Sequence, residues 1–246
     1  MKYFFISVFS VFLFTTHLTK DSETVENKPT VVLQLFTSQG CSSCPRADEF
    51  LDMVKEEYAS KNVIVMSYHV DYWDYIGWKD PFSKKEYSNL QAAYGRQLKA
   101  RNIYTPQLVV NGKVHYVGSD KPKIRYSISK NLRLNSENSI ALSNISKNNN
   151  TLSLNYTIDG DVTQKKLQVA LVLENKITKV KGGENSNRTL SNSNIVIETV
   201  TQEISKKQGK ISITIPEKYK TEKQLRVIGF VQNEQLHITG GTQLKV

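Results

Sequence analysis

Cysteine is scarce: the chain of 246 residues has two, alongside four histidines, six prolines and two tryptophans. Two cysteines cannot staple a chain this long, and they cannot by themselves complete a four-cysteine zinc site. Acidic excess is missing as well, since 33 Lys and Arg outnumber 23 Asp and Glu, a formal charge of +10. The positive excess is not gathered on one element. Residues 28–137 carry 16 basic and 11 acidic side chains, and residues 138–246 carry 15 and 9. A nucleic-acid binder concentrates such charge on a helix or tail. The even spread reads instead as a solvated lysine-rich surface, and no nucleic-acid partner is expected. What is present is 39% hydrophobic and 23% charged, the composition of a globular protein able to bury a core without a disulfide scaffold.

The only long apolar run is at the start. Met1-Lys2 is a short basic segment, and Tyr3–Leu18 (YFFISVFSVFLFTTHL) is apolar, softened by Ser and Thr. It falls short of the ~20 residues of a spanning helix, and Lys20, Asp21 and Glu23 end it. This reads as a secretory signal peptide over residues 1–20, cleaved between Thr16 and Lys20; the alternative is an uncleaved N-terminal anchor. The expected location is secreted or periplasmic, with no stable membrane anchor after cleavage. That compartment is oxidising, which changes what a cysteine pair means.

Thr30–Phe36 (TVVLQLF) is β-branched and apolar almost throughout, the pattern of a strand buried on both faces. Gly40-Cys41-Ser42-Ser43-Cys44-Pro45 opens a helix in which Phe50, Leu51, Val54 and Tyr58 form an amphipathic stripe. Asn62–Val70 is a second strand, Asp71–Phe82 (DYWDYIGWKDPF) an aromatic loop, and Ser83–Arg101 a helix. Thr105-Pro106 precedes a strand, Asn111-Gly112 marks a hairpin between Gln107–Val110 and Lys113–Val117, and Lys121–Leu134 is a helix. The order is β-α-β-α-β-β-α. From Ser139 onward seven short alternating runs predict strands and a β-sandwich with its own core. Among them the connection Glu174–Asn194 is long and polar.

Cys41-x-x-Cys44 carries the chemistry. A thiol at a helix start feels the positive end of the helix dipole, which favours thiolate, the nucleophile of disulfide exchange. A stabilising disulfide is a weaker reading, because a loop of about four residues yields only ~1.9 kcal/mol in the chain-entropy estimate. Half of a metal site is the other alternative. Pro45 would crowd the Cys41 carbonyl if Cys41 capped the helix, so the helix is expected to begin nearer Ser43 or to have an irregular first turn, either of which leaves Cys41 more exposed than Cys44, as the attacking thiol, with Cys44 resolving. Thr105 and Pro106, with a cis bond between them, are expected to hold a substrate chain, and Tyr72 and Trp73 to line its groove or cap the core. His69 is a candidate to tune a thiolate, or simply a satisfied strand residue. With Cys41 and Cys44 it also makes a candidate soft-metal site, for copper binding or delivery.

The element order, CxxC at the first helix and Thr-Pro before the third strand resemble the thioredoxin-like superfamily. More closely, Leu35–Asp48 (LFTSQGCSSCPRAD), Ser67–Phe82, Tyr104–Gly112, Gly182–Val196 and Gly229–Gln232 resemble an exported thioredoxin-like family named as a domain of unknown function, DUF1223. The resemblance implies a thioredoxin-like α/β domain over 28–136, a central mixed sheet flanked by helices, followed by a β-sandwich-like domain over 138–246. It also implies a redox-active disulfide at Cys41 and Cys44 and a cis-proline at Pro106. The chain departs from the pattern. Leu35 stands where thioredoxins place a buried carboxylate, Gly40 where they place an aromatic, and Gln34 where the closer family implies Glu, which makes Gln34 a candidate for tuning. The expected function is thiol–disulfide oxidoreduction on protein or small-molecule thiols and disulfides, without a cofactor. The alternatives are the copper module and a redox-inert interaction protein.

Overall fold

The computed structural model describes Met1 and residues 28–246. The segment read as a signal peptide, Met1 aside, lies outside the described residues. The chain is mixed α/β, with few helices and one large mixed sheet. The elements are β1 (Val31–Thr37), α1 (Pro45–Glu57), β2 (Val63–His69), α2 (Lys85–Gln97), β3 (Gln107–Val110), β4 (Val114–Val117) and α3 (Lys121–Asn131). They continue as β5 (Ser139–Asn148), β6 (Thr151–Asp159), β7 (Lys165–Lys179), β8 (Thr189–Glu203), β9 (Gln208–Thr214), β10 (Leu225–Asn233) and β11 (Ile238–Lys245).

β1 and β2 run parallel in full register from Val31↔Val63 to Thr37↔His69, and every residue of both is buried. This is why both strands lack polar–apolar alternation: helices cover each face, α1 and α3 on one and α2 on the other. β3 and β4 add antiparallel on the other side of β1. The turn between them spans Asn111, Gly112 and Lys113, one residue longer than the two-residue hairpin that Asn-Gly suggests, with Lys113 N–H donating to the Val110 carbonyl.

The sheet does not stop at the composition change near residue 137. β8 joins β2 in parallel through the single register pair Ser67↔Ile195, giving eight strands in the order β11-β10-β7-β8-β2-β1-β3-β4. A separate three-stranded sheet, β5-β6-β9, covers the C-terminal strands.

Strand alternation sorts the side chains into three cores. Leu33, Leu35, Val63 and Val65 face Phe50, Leu51 and Val54 of α1 and Ile124 and Ile128 of α3. On the opposite face Val32, Ile64 and Met66 meet Tyr87 and Tyr94 of α2, together with Val172, Val196, Ile228 and Phe230 of the C-terminal half. The third core lies between the two sheets and takes only Phe82 from the first half. The C-terminal strands thus pack a core of their own between the two sheets, while the other face of β7, β8 and β10 is shared with α2. The linker is pinned by fully buried Asn138, whose amide donates to the carbonyls of Asp159 and Asp161 and whose Oδ1 accepts from Thr239.

The connection Glu174–Asn194 is largely not a loop. β7 and β8 extend as paired strands through Lys179↔Thr189, leaving only a short tip. Length and polarity suggested a loop because both faces of this ribbon carry polar residues, a pattern that alternation cannot identify as strand.

Gly112 has φ +66°, and a β-carbon there would run into the Leu236 carbonyl. Gly112→Ala is expected to destabilise the protein by at least the ~1–2 kcal/mol of a left-handed non-glycine residue, read as a lower urea midpoint at unchanged slope. An unchanged midpoint would mean that this turn does not constrain the fold.

Candidate active site

The turn from Ser38 to Cys44 leaves the carboxyl end of β1 and delivers the chain to α1. Helix α1 begins at Pro45, with Cys44 as N-cap residue in a helical conformation and no side-chain cap. Proline at the first helical position needs no N–H partner and has its φ preset. Cys41 stands before the helix, in a turn closed by Cys44 N–H donating to the Cys41 carbonyl. The two cysteines are disulfide-bonded. Because the bonded Cys41 sulfur carries no proton, the Ser43 hydroxyl is the donor in the 3.3 Å contact between them.

One expectation is corrected here. Cys41 is not the exposed partner: it is 1% accessible and Cys44 0%. Only Ser42 and Ser43 between them are exposed. The cover over Cys41 comes from 144 residues further along the chain. The tip of the β7–β8 ribbon sits on the turn, with Asn185 Nδ2 donating to the Gln39 and Cys41 carbonyls at 2.9 Å each. Glu184 Oε2 accepts from Ser42 N–H at 2.8 Å, a contact that holds its carboxyl below the usual range.

The other sequence candidates divide into two groups. Trp73 packs on Gly40, where a β-carbon would stand 3.1 Å from Trp73 Cβ, so glycine is what lets the aromatic loop close on the cysteine turn. Trp73 Nε1 donates to Thr105 Oγ1 at 2.8 Å, and Tyr72 lies tilted beside Trp73. The Thr105–Pro106 bond is cis. Trp73, bonded to Thr105 beside Pro106, thus adjoins Gly40, while Tyr72 and Trp73 also pack against the α2-side core. Gln34 is not brought to the cysteine turn. It faces α2, on the opposite side of the sheet from α1, where its amide accepts from Tyr94 Oη at 2.6 Å and donates to Tyr68 Oη.

His69 ends β2 beside Thr37 in register and is fully buried. Its Nδ1 pairs with Asp80 Oδ2 at 2.7 Å, and its Nε2 has no protein partner. Burial alone would disfavour the charged ring, but the Asp80 carboxylate overrides it and raises the His69 pKa; reciprocally, His69 outweighs desolvation and lowers that of Asp80. Asp80 also accepts from the Gln39 and Phe82 N–H groups, so one buried carboxylate ties the cysteine turn, the end of β2 and the aromatic loop together. Among the described residues no group of three His, Cys, Asp or Glu side chains is placed to hold a metal ion. The copper reading from Cys41, Cys44 and His69 receives no support from this arrangement.

Asp48 was not singled out from the sequence. It lies four residues after Cys44, hence on the same helix face, and accepts from Thr37 Oγ1 at 3.1 Å. Burial pushes its pKa to about 7, against a smaller opposing pull from His69. A carboxylate is therefore present behind the disulfide, supplied by α1 rather than by β1. The available signal was a charged residue among Ala47, Phe50 and Leu51 on the buried face of an amphipathic helix.

A family model described as "Protein of unknown function (DUF1223)" matches residues 32–232. Among solved structures, the chain is similar to a crystal structure of a structural-genomics target from Agrobacterium tumefaciens. That likeness has 26% identity and a TM-score of 0.67, covering 89% of this chain and 96% of that one. A β-glucosidase from Kluyveromyces marxianus in complex with glucose aligns at 11% identity over 45% of this chain and 14% of that one, with a TM-score of 0.21, too low to carry any argument. No curated protein matches the chain.

Two outcomes are expected. Asp80→Ala leaves a buried imidazole and two N–H groups unpartnered and should cost about 3–5 kcal/mol in urea unfolding; a loss under 1 kcal/mol would show that the pair is not structural. Asp48 is protonated in the fold at pH values where the unfolded chain has already ionised. The wild type should therefore lose stability relative to Asp48→Asn as pH rises from about 4 to about 7, and run parallel to it above. Each pK unit is worth about 1.4 kcal/mol, so unfolding at pH 4.5 and pH 8 reads the difference, and a constant difference would show an ordinary carboxyl.

Proposed function

The chain belongs to the DUF1223 family, and on that premise we propose that it is an exported thiol–disulfide oxidoreductase with a thioredoxin-like first half. The observation that carries the reading is the Cys41–Cys44 disulfide at the start of α1, bordered by the Trp73–Thr105–Pro106 patch. A structural staple gains little from so short a loop, whereas a helix N-terminus stabilises the thiolate that exchange requires.

In the reduced protein the Cys41 thiolate attacks one sulfur of a substrate disulfide. The substrate S–S bond breaks, a Cys41–substrate disulfide forms, and the other substrate sulfur leaves as thiolate. The Cys44 thiol then loses its proton and attacks the Cys41 sulfur, which restores the Cys41–Cys44 bond and releases the second substrate thiolate. Two electrons pass from the protein dithiol to the substrate, and the reverse sequence oxidises a substrate dithiol. Asp48 is the nearby buried group able to take the Cys44 proton, since its pKa of about 7 leaves it half ionised at neutral pH. Trp73, Thr105 and Pro106 hold the substrate chain beside Cys41. The Ser43 hydroxyl, already donating to that sulfur, favours its thiolate.

The test is insulin reduction by the dithiothreitol-charged protein together with trapping. Cys44→Ser should accumulate mixed disulfides on non-reducing gels, and Cys41→Ser should trap nothing and turn nothing over. Equal behaviour of the two single variants, with no insulin reduction by the wild type, would leave the redox-inert interaction protein as the reading.

A further inference from the structure

Exchange needs an approach to Cys41, and the folded chain closes that approach with its own C-terminal half. β7 pairs with β10 only as far as Leu173, and β8 meets β2 only at Ile195. Beyond those points Asn175–Lys179 and Thr189–Ser193 pair with each other alone. A free two-stranded ribbon is marginal in water, so its tip must be held by what it rests on. The base of the ribbon is tied to α1, where Ser193 and Asn194 donate to Asp52.

The tip is tied to the cysteine turn by Glu184 and Asn185, with Arg188 Nη1 donating to Asn185 Oδ1 at 2.6 Å and orienting its amide. Its other support is the aromatic loop. Gly182 lies so close to Gly77 that a β-carbon would strike the Gly77 carbonyl, and Gly183 packs over Ile76 and Trp78.

The groups occupied by the tip are one N–H, of Ser42, and two carbonyls, of Gln39 and Cys41. These flank the disulfide and are the main-chain groups with which an extended chain would dock there. We propose that the Glu184–Asn185 tip is an internal occupant of the substrate position, a latch that shuts Cys41 in and that an incoming polypeptide displaces group for group. The substrate class follows from the chemistry of the occupant: an extended polypeptide disulfide offering a carboxylate to Ser42 N–H, and N–H donors to the Gln39 and Cys41 carbonyls. This inference rests on the exchange reading for its purpose, but the latch itself can be measured without turnover.

The experiment is the rate at which dithiothreitol reduces the Cys41–Cys44 bond in the full chain, followed by alkylation and mass spectrometry. The variants are Glu184→Ala, Asn185→Ala and Gly182→Ala, the last prying the tip from Gly77 without touching the cysteine turn. Glu184→Ala and Asn185→Ala should speed reduction by at least about five- to tenfold, the effect of losing one such hydrogen bond, and Gly182→Ala should change it in the same direction, with circular dichroism unchanged. Unchanged rates in folded variants overturn the latch, even if the wild type reduces insulin. Faster reduction supports it, even if no variant reduces insulin, in which case the exchange reading falls and the latch stands. Should the buried Asn185→Ala variant fail to fold, the exposed Glu184→Ala variant decides alone. The substrate class is read on polypeptide disulfides with acidic or basic flanks. Acidic flanks should be favoured in the wild type, and equal rates would overturn that assignment.

Discussion

The Asp80 carboxylate is what the rest of the site leans on. It is buried, it accepts from His69 Nδ1 and from the Gln39 and Phe82 N–H groups, and among the described residues no other side chain bonds to all three segments at once. Removing two charges from water is costly, and a buried pair holds only where further hydrogen bonds complete it. Here they do on the Asp80 side, and the result is that the cysteine turn cannot move independently of the end of β2 or of the aromatic loop. The positions of Trp73 against Gly40, and of Thr37 and Asp48 behind the disulfide, follow from that frame.

A second constraint comes from the sheet. The parallel contact of β2 with β8 is a single register pair, yet it sets the position of a strand whose far end reaches the disulfide. The half of the chain that holds no cysteine thereby contributes the cover of the cysteines. The same junction makes the α2-side core common to both halves, so neither half can shift against the other without opening apolar surface to water.

The buried polar groups sort by face. On the α2 side Gln34, Tyr68, Tyr94 and Gln232 satisfy one another, and burial raises both tyrosines out of the titrating range, Tyr68 to about 12. This network is structural, and Gln34 belongs to it. On the α1 side Asp48, raised by burial to about 7, accepts from Thr37, and His69 pairs with the Asp80 carboxylate. Gln34 and Thr37, the β1 members of the two networks, are an odd number of residues apart, and such residues of a strand face opposite ways.

The sequence by itself determined the local order. Apolar runs without alternation gave β1 and β2, turn chemistry gave the β3–β4 hairpin, and alternation gave the seven later strands. The CxxC pair at a helix start was visible because its chemistry resides in four consecutive residues. The tertiary structure decided everything that depends on residues far apart in the chain meeting. It turned Glu184 and Asn185 into a cover, made Asp80 the partner of Gln39 and His69, brought Asp48 rather than a β1 residue behind the disulfide, and buried a cysteine that local reasoning left exposed. Periodicity and propensity act over a few residues along the chain. Burial and hydrogen-bond partnership at this site are set across separations of up to 153 residues, where nothing in the local pattern says which side chain arrives.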